Sequence, residues 1–323
     1  MDGALEEARE LGRYAQTPWQ ITWKGWKKIF WRSVSRFSEA DISLRCAGVA
    51  FFTFFSIFPA LAAGVLTYGL LLDRNTLRDH LASIQPLLPA DAYNLIAERL
   101  ESLLSQPETG LGIGLLFSLA IALWSGSRGV GSLVGLVSQT YRERDERNFL
   151  VSAALSLGLT FGGIICFAIA VFTVAALPAL FLALPFGSVF ETTVLWLRWP
   201  LLAAFVVLGL TVLYRLAPDR DAPSFVWLLP GALFAGLMWI GVSFGFSIYV
   251  EQFGNYSATF GSLSIAVVTM LWIYYSVTVF ALGGVLNAEA ELQTRVDTTT
   301  GSPKPLGQRG AVVADNLPEK LSE

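Results

Sequence analysis

The chain has 323 residues, 54% of them hydrophobic and only 15% charged, with a formal net charge of -3. A mean hydropathy of +0.57 is hard to reconcile with a water-soluble domain of this length, and the balance of 22 Lys and Arg against 25 Asp and Glu offers no basic surplus for nucleic acid. The expected fold class is an all-α membrane protein, a bundle of six transmembrane helices with amphipathic interfacial helices.

The first 40 residues are charged and lack an apolar stretch, so no cleavable signal peptide is expected. Trp19, Trp23, Trp26 and Phe30 recur there at helical spacing, with Lys24, Lys27, Lys28 and Arg32 between them. One reading is an interfacial helix within a cytoplasmic region 1–45, contacting lipid through Trp23, Lys24, Trp26, Lys27 and Lys28. The other is a positive flank that only fixes topology.

From Cys46 to Leu72 the chain carries no charge, and comparable runs recur at about 111–137, 151–184, 193–214, 225–250 and 260–287. A helix of about 20 apolar residues crosses a bilayer core, so 46–290 reads as the six-span domain. In the first span Pro59 follows Thr53 and Ser56, which reads as a kinked packing helix or as a hinge. Between the first two spans, leucine and isoleucine stripes separated by Pro86 and Pro89 predict two amphipathic helices on the outer face at about 76–106.

The second span reads WSGSRGVGSLVGLVSQTY. Ser127, Gly131 and Gly135 stand at four-residue spacing and define a helix-packing face. Arg128 lies about 13 Å below the inner boundary at 1.5 Å per residue, too deep for a flanking charge. Asn287 and Glu289, at the inner end of the last span, are its expected neighbours. The pair reads either as a tie between helix ends or, with Arg128, as an intramembrane polar site accepting an anion. In the third span Pro178 and Pro185 interrupt an uncharged run, and a break is expected near Leu177. After about residue 291 a polar Pro- and Gly-bearing segment predicts a disordered cytoplasmic tail.

Basic residues set the orientation. They gather before the first span, in the second-to-third connection (Arg142, Arg144, Arg147), in the fourth-to-fifth (Arg215, Arg220) and in the tail. Both termini are therefore expected in the cytoplasm, which requires an even number of spans. Cys46 and Cys166 fall in or beside apolar spans and read as small buried hydrophobes. His80 is the single histidine, the acids show no metal-ligand spacing, and no Walker A motif is present. No cofactor, metal site, nucleic-acid partner or enzymatic activity is expected.

The runs AGVAFFTFFSIFP (47–59), WSGSRGV (124–130) and YSATFGSLSIAVVTMLWIYYSVTVFALGGVLNAE (256–289) resemble the YihY/BrkB family of bacterial inner-membrane proteins, which also carries a ribonuclease BN label. The resemblance covers most of 25–292. It implies a six-span helical inner-membrane protein, with serum resistance and lipid or envelope export attached to some members. Ala47, Ser56, Pro59, Trp124, Arg128, Gly261, Trp272, Gly283, Asn287 and Glu289 match the family pattern. Val285 departs from it where many members carry an acid, which leaves Glu289 to pair with Arg128. The function expected is transport or flipping of an anionic lipid or envelope amphiphile in the inner membrane, with membrane lipids as partners; the alternative is a non-catalytic scaffold or envelope assembly factor.

Overall fold

The computed structural model describes residues 10–39, 41–71, 108–171, 173, 188–252 and 262–318. Its helices are α1 (Trp23–Glu39), α2 (Ile42–Leu71), α3 (Glu108–Thr140), α4 (Phe149–Val171), α5 (Ser188–Leu216), α6 (Phe225–Gln252), α7 (Ser262–Glu291) and the short α8 (Val312–Asp315). Among the described residues the extended pairing is limited to one isolated bridge, Pro223 with Thr299. Hydrocarbon offers no water to backbone groups, so long apolar segments close their own hydrogen bonds as helices.

Among the described residues, five helices contain stretches long and apolar enough to cross a membrane: Ile42–Ala60, Leu116–Thr140, Phe149–Ala170, Phe225–Glu251 and Ala266–Glu291. The expected fourth span, about 193–214, falls within α5. Among the described residues its apolar stretch is Pro200–Leu216, a reach of about 25 Å at 1.5 Å per residue. Pro59 does not end its helix, which runs through to Leu71; the Ser56 hydroxyl donates to the Thr53 carbonyl at 2.7 Å. The expected outer helices at about 76–106 and the break at Pro178 lie outside the described residues.

The chain divides into two compact units, one of residues 51–129 and one of residues 1–50 with 130–323. In the larger unit α6 and α7 pack most extensively on each other. Their contact is possible because Gly231 and Gly283 bring backbone against backbone: a Cβ on Gly231 would run into the Gly283 carbonyl oxygen. Tyr214 donates to the Phe280 carbonyl at 2.7 Å, and Val137, Tyr141, Leu228, Ala232 and Ala235 complete the core around it. Of the expected packing glycines, Gly131 faces the Ser156 hydroxyl, whereas a Cβ on Gly135 would meet open space. In the smaller unit Gly129 faces Thr53, and Phe51 stacks on Phe55 with centroids 5.8 Å apart.

The tail through residue 318 is not the disordered segment its composition implies. Arg309, only 4% exposed, donates to the carbonyls of Arg295 and Ala314, both at 2.8 Å. Asp315 accepts the N–H groups of Gly307 and Arg309 at 2.7 and 2.9 Å, and Asp297 accepts those of Thr299 and Lys304. Charge-assisted bonds to backbone replace the hydrophobic core that such a segment cannot build. Gly301, Gly307 and Gly310, with φ of 119, 91 and 66°, supply the left-handed turns between them.

Candidate functional site

The foot of α7 gathers a buried polar network in the larger unit. Glu289 and Glu291 lie in its last turn, where the helix dipole disfavours carboxylates, so each needs a cation. Glu289, 1% exposed, receives Arg32 Nε on Oε2 and an Arg142 guanidinium nitrogen on Oε1, both at 2.8 Å. Arg32 also reaches Gln293 at 2.9 Å and the Glu289 carbonyl at 3.0 Å. On the other side of the helix, Arg220 grips Glu291 with two bonds of 2.8 and 3.1 Å. Thr298 donates to the same carboxylate at 3.0 Å. Neither Arg220 nor Glu291 exposes any side-chain surface.

Arg220 also stacks over the Tyr141 ring, with Cζ 4.4 Å from the centroid, a geometry open to guanidinium and closed to a lysine point charge. Burial opposes the Arg220 charge, but the adjacent Glu291 carboxylate overrides it and holds the guanidinium more basic than usual. Burial, helped by the Glu291 charge, pushes the Tyr141 phenol well up. Its hydroxyl is buried near Asn287 without a hydrogen bond of good geometry.

Asn287, fully buried, is a staple between helices. Its Oδ1 accepts the Gly231 N–H at 2.7 Å and its amide donates to the Leu228 carbonyl at 2.9 Å. Pro230 lies inside α6 between those residues, where it removes a ladder donor and displaces the preceding turn. The donor lost at Pro230 would have served the Val226 carbonyl four residues earlier, so the Asn287 bonds to Gly231 and Leu228 tie α7 to the turn beside that gap rather than fill it.

The α3–α4 and α5–α6 connections and the tail converge on the same place. Arg147 joins Asp219 at 3.2 Å and the Pro218 carbonyl at 2.8 Å; the Val312 N–H donates to Glu143 at 2.7 Å; Thr294 donates to the Ala15 carbonyl at 2.7 Å. Burial raises the Glu143 pKa. Beside the network an open cleft of about 350 Å³ is lined by Arg142, Glu143, Arg144, Glu146, Asp219 and Val312. Among the described residues no three His, Cys, Asp or Glu side chains assemble as metal ligands.

Asn287 and Glu289 find their partners within the larger unit. Both Glu289 oxygens are occupied by Arg32 and Arg142, and both ends of the Asn287 amide are occupied by α6. Arg128 is exposed and lies at the midpoint of Leu116–Thr140, roughly 18 Å from either end at 1.5 Å per residue. Its guanidinium sits 5.6 Å from the ring centroid of Trp124, one turn earlier. Trp124 is itself 63% exposed. Deep in the last span, Trp272 reaches Ser243 at 3.4 Å and Tyr274 meets Ser43 at 2.8 Å.

The lipid-contact set also changes. Trp26 turns inward, against a cluster of Ile21, Ile29, Trp227 and Leu286, and Lys24 pairs with Glu10 at 2.9 Å on the surface. Trp23, Lys27 and Lys28 remain exposed. Sequence reasoning missed Arg32, Arg142, Arg220 and Glu291 as a network. The available signal was the acid pair in a helix C-terminal turn, which demands cations from the connecting segments.

Helices long and apolar enough to span a bilayer, tied at one end by buried ion pairs, define a multi-pass helical membrane protein. The chain belongs to the family described as Virulence factor BrkB, which it matches over residues 33–306. It is 31% identical to the ribonuclease-like protein YfkH of Bacillus subtilis (strain 168), over 79% of this chain and 92% of that one. It is 26% identical to a UPF0761 membrane protein of Pseudoalteromonas translucida, over 79% and 83% of the two chains. A UPF0761 membrane protein of Idiomarina loihiensis is 29% identical over 57% and 61%. No solved structure matches this chain.

Proposed function

We propose that this protein is a six-span transporter of the bacterial inner membrane, with both termini in the cytoplasm, that moves an anionic lipid or lipid-linked amphiphile past Arg128. The observation that carries the reading is an exposed guanidinium halfway along an apolar span. An arginine at that depth costs roughly 3 kcal/mol or more unless water, carbonyls or an anion solvate it. An anionic headgroup supplies that solvation, and Trp124 beside the guanidinium gives an amphiphile an aromatic face to slide along. Convergence of residues 141–148, 217–224 and the tail on the foot of α7 supports two crossings between each successive inner segment.

The test uses proteoliposomes carrying fluorescent phosphatidylglycerol or phosphatidylcholine, with dithionite as the impermeant quencher. The protein should make inner-leaflet phosphatidylglycerol accessible to dithionite, Arg128→Ala should abolish this, and Arg128→Lys should reduce it, because an ammonium lacks the guanidinium fork. Traffic no faster than in protein-free liposomes, or unchanged by Arg128→Ala, overturns the reading. A scaffold or assembly role is the second reading, and the close α6–α7 contact through Gly231, Gly283 and Asn287 favours it.

A further inference from the structure

Threonines inside apolar spans usually close back on their own helix. Here Thr160 donates to the Ser156 carbonyl and Thr211 to the Val207 carbonyl, both at 2.7 Å, and Thr278 to the Tyr274 carbonyl at 2.8 Å. Thr53, inside the apolar stretch Ile42–Ala60, makes no such bond to Val49, and among the described residues its hydroxyl has no hydrogen-bond partner. That hydroxyl faces Gly129, where a Cβ would lie 3.4 Å from Oγ1. The glycine leaves it uncovered on that side.

Thr53, Trp124, Arg128 and Gly129 all belong to the smaller unit. Gly129 follows Arg128 directly, so the Thr53 hydroxyl lies within about 9 Å of the Arg128 Cα. The Arg128 side chain is exposed and long enough to bring its guanidinium to a phosphate that touches the hydroxyl. A hydroxyl in hydrocarbon is poorly tolerated without a partner, and a guanidinium there requires one more strongly. A phosphodiester answers both, because its unbridged oxygens accept from the guanidinium fork and from a hydroxyl at once.

We infer that Thr53 and Arg128 form one seat for the phosphodiester of an anionic lipid, the Thr53 hydroxyl donating to one phosphate oxygen and the guanidinium to another. Gly129 keeps the seat open, since a side chain there would cover the hydroxyl. The inference rests on the reading of Arg128 as an anion site and adds to it the group that engages the phosphate beside the charge.

The test is native mass spectrometry of the full chain released from phosphatidylcholine nanodiscs titrated with phosphatidylglycerol. Wild type should retain phosphatidylglycerol in preference to phosphatidylcholine. Thr53→Val, which keeps the shape, should weaken that retention about tenfold, Thr53→Ser should restore it, and Gly129→Ala should weaken it by setting a methyl against the hydroxyl. In an Arg128→Ala background Thr53→Val should add little, because both groups hold one phosphate. Retention that falls with Arg128→Ala but not with Thr53→Val overturns this inference and leaves the reading of Arg128 standing, as does full additivity of the two. Retention unchanged by Arg128→Ala overturns both. Retention as expected but without transport overturns the transport reading alone. Displacement of phosphatidylglycerol by millimolar inorganic phosphate would assign the seat to the free ion and overturn the lipid assignment. If Thr53→Val does not fold, Thr53→Ala repeats the comparison.

Discussion

Arg220 and Glu291 form a two-pronged ion pair in which neither side chain reaches solvent. Such a pair is costly to assemble and costlier to break, because removing one member strands the other charge. Arg220→Ala should destabilise the protein by about 3–5 kcal/mol, more than any substitution at an exposed residue. Arg220→Met combined with Glu291→Leu should recover most of that loss. Melting in detergent, followed by size-exclusion chromatography, reads both; a double variant no better than Arg220→Ala would mean that the pair does not hold the α7 foot.

Arg142 has φ of +61°, a left-handed conformation that costs a non-glycine residue about 1–2 kcal/mol. Its bond to Glu289 offsets that strain. Arg142→Gly and Arg142→Ala both lose the ion pair, but only glycine relieves the backbone. The glycine variant should therefore melt higher than the alanine variant, and the reverse order would show that the turn is not held left-handed.

The Asn287 staple predicts a different pattern. Asn287→Leu removes both side-chain bonds to α6, the one from the Gly231 N–H and the one to the Leu228 carbonyl, at about 1 kcal/mol each. Asn287→Asp keeps an acceptor for Gly231 but loses the donor to Leu228, so it should fall between wild type and leucine unless its added charge dominates. Gly231→Ala should be the most damaging, since its Cβ meets the Gly283 carbonyl oxygen. Thermal melting of the three variants checks the order.

The helices were legible because uncharged runs such as 46–72 have one stable form in hydrocarbon, and the gathering of arginines was legible as charge asymmetry. The pairing was not. Glu289 meets Arg142 and Arg32 across 147 and 257 residues of chain, a separation that no local period encodes. Trp26 and Trp23 look alike in sequence, and only the position of Trp227 and Leu286 decides which faces inward. The tail was misread because its order rests on one buried arginine and backbone acceptors, and a composition rich in Pro, Gly and Thr disguises both.

Two carboxylates near the foot of α7 should respond to pH with opposite sign. Burial opposes the Asp297 charge, but the Lys304 and Thr299 donors and nearby Arg309 overcome it and hold its pKa below 3.8. Its contribution is present above about pH 4 and is lost as pH falls through the folded value. Glu143 is shifted upward by burial from 4.5, so its contribution is present at low pH and lost as pH rises through its folded value. Glu143→Gln keeps an acceptor for Val312 and removes the buried charge, so it should preserve tail protection at neutral pH. Asp297→Asn should loosen residues 295–318 at neutral pH and flatten their acid transition. Hydrogen exchange of that segment against pH measures both; an acid transition unchanged by Asp297→Asn would exclude Asp297 as its source.

Arg128 and Glu289 should behave as strangers. Both Glu289 oxygens are engaged by Arg32 and Arg142 at 2.8 Å, while Arg128 lies against Trp124. A double-mutant cycle of Arg128→Ala with Glu289→Gln should be additive within about 0.5 kcal/mol, whereas Arg32→Ala with Glu289→Gln should couple by about 0.5–3 kcal/mol. Because Arg128 is exposed along an apolar span, Arg128→Ala should leave melting unchanged or raise it, since it removes a charge that the bilayer solvates poorly. Coupling between Arg128 and Glu289 as large as that between Arg32 and Glu289 would place the two in one ion pair, and the assignment of Arg128 to a passing anionic headgroup would fall with it.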